Sequence, residues 1–380
     1  MTRPRWRVLL LIKCLGVGGA ERLLVDVAAR GDRSSFGYEA AYVLDSYNGL
    51  AAEMRETGTP VVSLGARADW DLRWIPALRR LVTERRYDLV HFHLPYSASL
   101  GRLVVRSLPR SSRPRTVYTV HCTWNETAAP VRMVDRATIG LDDALLVVSE
   151  TARQALPESL RQRAQVVIHG VDPSRSEDLR RDREKVRDDV RRELRIPDDH
   201  VLALIVANLR PEKGYDVLME AAASLIARNS PISFVSAGHG PLTDELGRLH
   251  DKLGLGDRFR FLGARSDALR LMAAADVFTL PSRHEALPVT VMEATSLGLP
   301  LIVTCVGELP RIFTDGKDAI VIPPGRPDLL ARSLQELVDD PALRKRLGAG
   351  ALERSAIFDV SSAVLQIEEL YRGLLSRAPG

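Results

Sequence analysis

Two carboxylates, Glu285 and Glu293, stand in Ser282-Arg283-His284-Glu285-Ala286-Leu287-Pro288-Val289-Thr290-Val291-Met292-Glu293, with seven residues between them. The run Asp276-Val277-Phe278-Thr279-Leu280 comes before, and an apolar helix pattern, Gly298, Pro300 and a further apolar run follow. That order reads as strand, loop, helix, strand. Pro288 suits the first helical position and Gly298 the helix end. Glu285 then falls in the loop at the carboxyl end of a strand, where open α/β sheets bind ligands. Glu293 falls inside the helix, more than a turn deeper. Such placement disfavours a shared proton or a single chelated metal. It favours two grips on different parts of one ligand, beside a helix N-terminus that suits phosphate. A solvated loop glutamate and an ordinary helix glutamate are the alternative for these two residues taken alone.

Other chemistry-bearing residues also sit where apolar runs end. Gly16-Val17-Gly18-Gly19-Ala20-Glu21 follows the first run directly. Glycines there let the backbone approach a ligand and turn into a helix. The spacing is not G-x-G-x-x-G, and no acidic residue ends a second strand at the expected place, which argues against a dinucleotide cofactor. In Asn208-Leu209-Arg210-Pro211-Glu212-Lys213-Gly214, two cations precede a helix, an arrangement that suits a diphosphate through charge-assisted hydrogen bonds. Surface pairing among Arg210, Glu212 and Lys213 is the alternative. Ala237-Gly238-His239-Gly240-Pro241-Leu242 and Phe261-Leu262-Gly263 close the next two runs. His121, in Tyr118-Thr119-Val120-His121-Cys122, stands just beyond a strand. It could stabilise charge or be a hydrogen-bonded structural ring. His91-x-His93 offers two metal ligands without a third or fourth at metal spacing. Asp69-Trp70-Asp71 reads as a solvated turn before a basic helix.

These groups need a frame. At 380 residues the chain is long enough for two domains. The formal charge of +4 is mild; it admits an anionic ligand or membrane surface and does not call for nucleic acid. The run Val8-Leu9-Leu10-Leu11-Ile12, ended by Lys13, is shorter than a signal-peptide core and reads as a buried first strand. No stretch approaches the length that spans a bilayer. Cys14, Cys122 and Cys305 lack metal or disulfide spacing and fit core cysteines in a reducing cytosol. Apolar runs at 8–14, 38–43, 61–64, 89–92, 116–120, 144–148 and 166–168 alternate with helical patterns. So do those at 201–207, 233–237, 258–261, 277–280, 301–304 and 319–322. That alternation predicts parallel sheets covered on both faces. Both halves open alike, with a turn and then a helix at 21–29 or 215–227. Between them, 172–200 reads as a solvated linker with one charged helix over about 177–194. Arg73, Arg79, Arg80, Arg85 and Arg86 decorate a helix with the apolar stripe Leu72, Ile75, Leu78 and Val82; Arg102, Arg106, Arg110, Arg113 and Arg115 follow. This basic face suits anionic lipid or plain solvent.

Taken together, the phrases resemble the GT4-type family of retaining glycosyltransferases with the GT-B fold. The acidic pair matches its E-x7-E element, 16–21 its G-x-G-G-A-E loop, and 238–242 its G-x-G-P-L turn. Phe261-Leu262-Gly263 matches its F-L-G strand end, which lies near the base, and 119–121 its T-x-H element. The chain departs from the family in several places. Ala207 and Asn208 replace the glycine and arginine of G-R-L-x-x-x-K-G, where Lys213 matches. Glu308 and Arg311 replace a glycine and a glutamate of G-G-x-P-E-I, and His169 replaces the asparagine of N-G-V-D.

The resemblance implies an α/β GT-B fold of two Rossmann-like doubly wound domains facing a central cleft. An acceptor-side domain over 1–171 would regain a C-terminal helix at about 360–376, and a donor domain would span 172–359. The donor would be a UDP-, GDP- or ADP-sugar. Glu293 would hold the ribose hydroxyls. Arg210, Lys213 and backbone amides around Ala286, Leu287, Pro288 and Val289 would hold the diphosphate. Gly18, Gly19, Asn208, Gly238, Gly240 and Gly263 would line the donor, Glu285 would meet the donor sugar, and His121 the acceptor side. No metal is expected. The family also implies front-face transfer to a carbohydrate or lipid-linked acceptor, in glycan, glycolipid or polysaccharide synthesis. The protein would be cytoplasmic or peripheral at the inner membrane face, with no nucleic-acid partner. A sugar-nucleotide epimerase, or an inactive nucleotide-sugar-binding subunit prompted by Asn208, Glu308 and Arg311, are the competing readings.

Overall fold

The structure is a computed structural model describing residues 6–16, 18–46, 48–121 and 128–376. The chain forms two compact units, Met1–Gly170 with Val360–Gly380, and Val171–Asp359.

The first unit holds seven strands: β1 (Trp6–Ile12), β2 (Phe36–Leu44), β3 (Val61–Ala66), β4 (Leu89–His93), β5 (Arg115–Val120), β6 (Ala144–Val147) and β7 (Ala164–Val166). They are ordered β3-β2-β1-β4-β5-β6-β7, and every pairing is parallel. The strands are apolar without alternation because both faces are covered. Leu9 and Leu11 face one way, with Trp74, Leu78 and Val82. Leu10 and Ile12 face the other, with Leu24, Val27, Ile367 and Tyr371. The last two belong to the helix Val360–Leu375, which is anchored in this unit by polar bonds as well. Tyr38 Oη donates to Glu368 at 2.6 Å, and the Asp32 amide donates to the same carboxylate at 2.7 Å.

The second unit holds six parallel strands: β8 (Val201–Val206), β9 (Ile232–Ala237), β10 (Phe259–Phe261), β11 (Val277–Leu280), β12 (Leu301–Thr304) and β13 (Ile320–Ile322). Their order is β10-β9-β8-β11-β12-β13. Chain order reverses beside β1 in one sheet and beside β8 in the other. The crevices at the carboxyl ends of β1/β4 and β8/β11 are therefore the switch points where such sheets take ligands.

Each expected apolar run forms a strand, with ends moved by a residue or two. Four expectations are corrected. The charged stretch is two helices, Pro173–Arg181 and Arg183–Glu193, broken at Asp182. It is more than solvated, since Arg187 and Arg191 pair with Asp276, at the entry to β11, and Arg183 donates to the Ala275 carbonyl. Leu72 lies outside its helix and is 55 % exposed; Trp74 opens the helix Trp74–Arg85 and takes the buried place. Arg102 is only 1 % exposed, bonded to Asp135 at 2.7 Å, Thr138 at 3.0 Å and Asp142, with the Tyr118 ring 4.4 Å away. Burial lowers its affinity for a proton most, but the Asp142 and Asp135 carboxylates together hold it above the ordinary value. Arg113 is likewise turned inward, donating to the Arg106 and Leu108 carbonyls. The basic face is therefore smaller than the arginine count implies. Cys305 is exposed and Cys14 half-buried, so neither is a plain core thiol, and Cys122 lies outside the described residues.

Candidate functional site

The switch point of the second unit is built from two turns clamped together. The turn after β8 ends in Gly214, in the left-handed region at φ 68°. A Cβ there would stand 2.1 Å from the Pro281 carbonyl oxygen, so only glycine lets this turn meet the loop after β11. The Arg283 amide then donates to the Glu212 carbonyl at 2.7 Å, and its guanidinium bonds Asp216 at 2.8 Å. Across this clamp, Lys213 Nζ donates to Glu285 Oε1 at 2.6 Å. Ser282 Oγ donates to the same oxygen at 2.7 Å, and Thr304 Oγ1 fixes Ser282 by donating to its carbonyl at 2.6 Å. The Lys213 and Glu285 side chains are 20 % and 8 % exposed, so the pair is little screened by water and strongly oriented. Lys213 bonds Glu285, not its neighbours in the turn.

The helix after Glu285 is Val289–Ser296, with Pro288 as its N-cap and not its first residue. The Val291 and Met292 amides point back to the Pro288 carbonyl at 3.1 and 3.4 Å. Pro288 has no N–H to offer, so the first helical amides, Val289 and Thr290, remain the donors facing the loop. Ala286 accepts from the Glu308 amide at 3.0 Å, and Gly307, at φ 56°, lies against the Glu285 and Ala286 carbonyls. Leu287 is buried and Glu293, in the middle of the helix, is partly buried. Asn208 and Arg210 are exposed in the turn after β8, on either side of buried Leu209. The two glycines after β9 serve close packing. A Cβ on Gly238 would lie 1.9 Å from the Ala207 carbonyl oxygen, and one on Gly240 would lie 2.5 Å from that of Leu209. Gly263, at φ 68°, accepts from the Gly238 amide at 2.8 Å and joins the same stack of turns.

The switch point of the first unit is made differently. Gly18 caps the helix Gly19–Arg30 in extended backbone, and a Cβ there would meet the Glu21 carboxyl at 2.4 Å. Glu21 folds back so that Cys14 Sγ donates to it at 3.6 Å, and burial raises its pKa above the usual carboxylate value. Val17 lies outside the described residues. At the ends of the neighbouring strands, four imidazoles form a row. Ring centroids are 4.0 Å apart for His91–His93, 5.3 Å for His93–His121 and 5.1 Å for His121–His169. His93 Nδ1 and His121 Nε2 share a hydrogen bond of 3.0 Å. Burial pulls His91 down to about 3 and His169 to about 4, and takes His93 and His121 well below the ordinary histidine value. Among the described residues, no three His, Cys, Asp or Glu side chains are grouped to hold a metal ion. Sequence reasoning noticed the pair His91 and His93, and His169 apart from it, and joined neither to His121. It also assigned nothing to Ser282 or Thr304; the only available signal was Ser282 standing three residues before Glu285.

Two family models match the chain. "Glycosyltransferase Family 4" covers residues 17–175 and "Glycosyl transferases group 1" covers residues 186–354. D-inositol 3-phosphate glycosyltransferase 1 of Catenulispora acidiphila is 30 % identical over 317 residues, 77 % of this chain and 74 % of that protein. Alpha-D-kanosaminyltransferase of Streptomyces kanamyceticus is 28 % identical over 327 residues, 81 % of this chain and 83 % of that protein. Among solved structures, HepE of Anabaena in complex with UDP and glucose superposes with TM-score 0.81 at 22 % identity, covering 96 % of this chain and 99 % of that one. WaaG, a glycosyltransferase involved in lipopolysaccharide biosynthesis, gives 0.73 at 19 % identity, covering 97 % and 100 %. Two parallel-sheet Rossmann-like units, superposing on these glycosyltransferases over nearly their whole length, are the GT-B fold. The chain belongs to the GT4-type glycosyltransferase family.

Proposed function

We propose that this glycosyltransferase takes its sugar from a UDP-, GDP- or ADP-sugar and retains the anomeric configuration on a carbohydrate or lipid-linked acceptor, without a metal ion. The observation that carries the reading is the Lys213–Glu285–Ser282 junction clamped at the β8/β11 switch point. Lys213, with Arg210 and the first amides of the helix Val289–Ser296, supplies fixed positive charge for a departing diphosphate, the role a metal plays elsewhere. Glu285, already oriented by two donors, is assigned to donor-sugar hydroxyls and not to a covalent intermediate. Glu293 is assigned to the ribose. The acceptor oxygen bonds the anomeric carbon as the bond to the diphosphate breaks, and the acceptor proton leaves on the departing phosphate. His121 is assigned to the acceptor side. Crystals of HepE with UDP-glucose support the donor class by likeness of fold.

Thermal shift with UDP-, GDP- and ADP-sugars, followed by NMR of the product anomer with and without EDTA, tests the reading. Inverted product, or activity lost to EDTA and restored by magnesium, would sink the retaining or metal-free part. Epimerised donor without transfer would favour the competing enzyme class.

We also propose contact with an anionic membrane surface. No described helix is long and apolar enough to cross a bilayer. Trp70, 84 % exposed, and Leu72 lie beside Arg73 and just before the exposed Arg79 and Arg80. An aromatic flanked by arginines suits a headgroup layer. Liposome flotation at low salt, with and without anionic lipid, checks this; no flotation with either composition removes it.

A further inference from the structure

The four-imidazole row in the first unit carries information about protons that distances alone do not state. His91 and His93 point to one face of β4, two residues apart. His121 stands just past β5 and His169 past β7. His91 is satisfied at both nitrogens, by Tyr371 Oη at 2.5 Å and Thr119 Oγ1 at 2.7 Å. His93 and His121 share one bond, and each keeps a second buried nitrogen without a partner, His93 Nε2 and His121 Nδ1.

Burial keeps all four rings neutral near neutral pH. A neutral imidazole carries one N–H. The His93–His121 pair therefore has two N–H groups, and the shared bond uses one. The other must sit on one of the two unpartnered atoms. If His121 donates in the shared bond, the spare N–H is on His93 Nε2, in a residue 1 % exposed at the last position of β4. An orphaned N–H there has nothing to meet. If His93 donates, the spare N–H is on His121 Nδ1, itself buried but in a residue that is only partly buried and stands just past the carboxyl end of β5, where such sheets take ligands. The His169 ring, stacked on His121 at 25°, confines it on a second side.

We propose that His93 donates from Nδ1 to His121 Nε2, locking His121 as the Nδ1–H tautomer, so that His121 offers the substrate a hydrogen-bond donor and not a base. His93 is then a positioning residue for the reaction. The role of His121 rests on the transfer reading above; the tautomer does not.

Long-range proton–nitrogen NMR of the full chain labelled with ¹⁵N-histidine tests it at about pH 7.5, where the rings are neutral. The chain has eight histidines, and the His121 signals are those lost in His121→Gln. The expected spectrum shows protonated Nδ1 and bare Nε2 for His121. Protonated Nε2 overturns the proposal, whatever the activity. His93→Asn places an amide donor near the Nδ1 position and should keep both the His121 tautomer and kcat within about threefold. His93→Leu should give mixed tautomers and lower kcat at least about tenfold, with donor KM little changed. A folded His93→Leu with the parent tautomer and kcat also overturns it. If His93→Leu fails to fold, the parent and His93→Asn spectra decide. Absence of transfer in the parent would count against the proposed reaction and leave the spectrum to be judged by itself.

Discussion

Glu285 shows how a single carboxylate acquires direction. Two donors converge on one of its oxygens, Lys213 Nζ and Ser282 Oγ, and leave the other for a ligand. Removing the carboxylate leaves a partly buried ammonium without its partner and, in the role proposed for Glu285, a donor-sugar hydroxyl without its hydrogen-bond acceptor. Glu285→Ala should therefore lose most turnover, at least about a hundredfold in kcat; near-normal turnover would refute its role. Lys213→Ala should weaken donor affinity about tenfold or more, as for loss of a charge-assisted bond. Arg210 is exposed in the same turn, two residues beyond the position where Asn208 replaces the family's arginine. If Arg210 compensates, Arg210→Ala weakens donor binding too, by calorimetric titration; unchanged affinity beside a Lys213→Ala loss removes the compensation.

Turns decide whether such side chains meet. Lys213 and Glu285 are 72 residues apart and are joined because Gly214 fits under the Pro281 carbonyl. Gly238, Gly240 and Gly263 were visible in the sequence as strand-end punctuation, and the left-handed backbone at Gly263 agrees with that reading. Their partners were not visible, because a glycine's neighbour across a sheet leaves no local trace. Gly307 makes the point testable. A Cβ at its φ of 56° would stand 2.2 Å from the Glu285 carbonyl oxygen, a backbone atom with nowhere to go. Gly307→Ala should cost about 1–3 kcal/mol and lower the thermal midpoint. It should also reduce kcat by displacing Glu285. A variant as stable and active as the parent would show that this loop yields freely.

The whole chain carries a pH dependence set by its buried rings. In the folded protein His91 and His169 titrate near 3 and 4, and His93 and His121 also lie well below the ordinary value. The unfolded chain takes up these protons near pH 6.5. Between that pH and about 4 the unfolded state binds more protons, so stability falls as pH falls. Each ring contributes at most about 2 kcal/mol of loss by pH 5. His169→Asn removes one titrating ring and restores the family's residue type. It should lose less stability than the parent between pH 7.5 and 5, measured by urea unfolding (roughly 2 kcal/mol less). An identical drop would mean that His169 is not held neutral. The Arg102 network belongs to the same scale, because burial there pushes Asp142 up to about 6.

Apolar runs of strand length, split by helix-period segments and punctuated by glycine and proline, were enough to specify two parallel sheets. The signal is local, since each strand is buried on both faces and shows it in its own residues. The same locality placed Glu285, Lys213 and His121 at strand ends. Folding in three dimensions decided the rest. It chose Lys213 for Glu285 and turned Arg102 inward toward Asp135 and Asp142. It brought Tyr371 to His91 across 280 residues and lined up two histidines of β4 with one beyond β5 and one beyond β7. Those pairings depend on parallel register and helix packing between segments far apart in the chain, and no window of neighbouring residues records them.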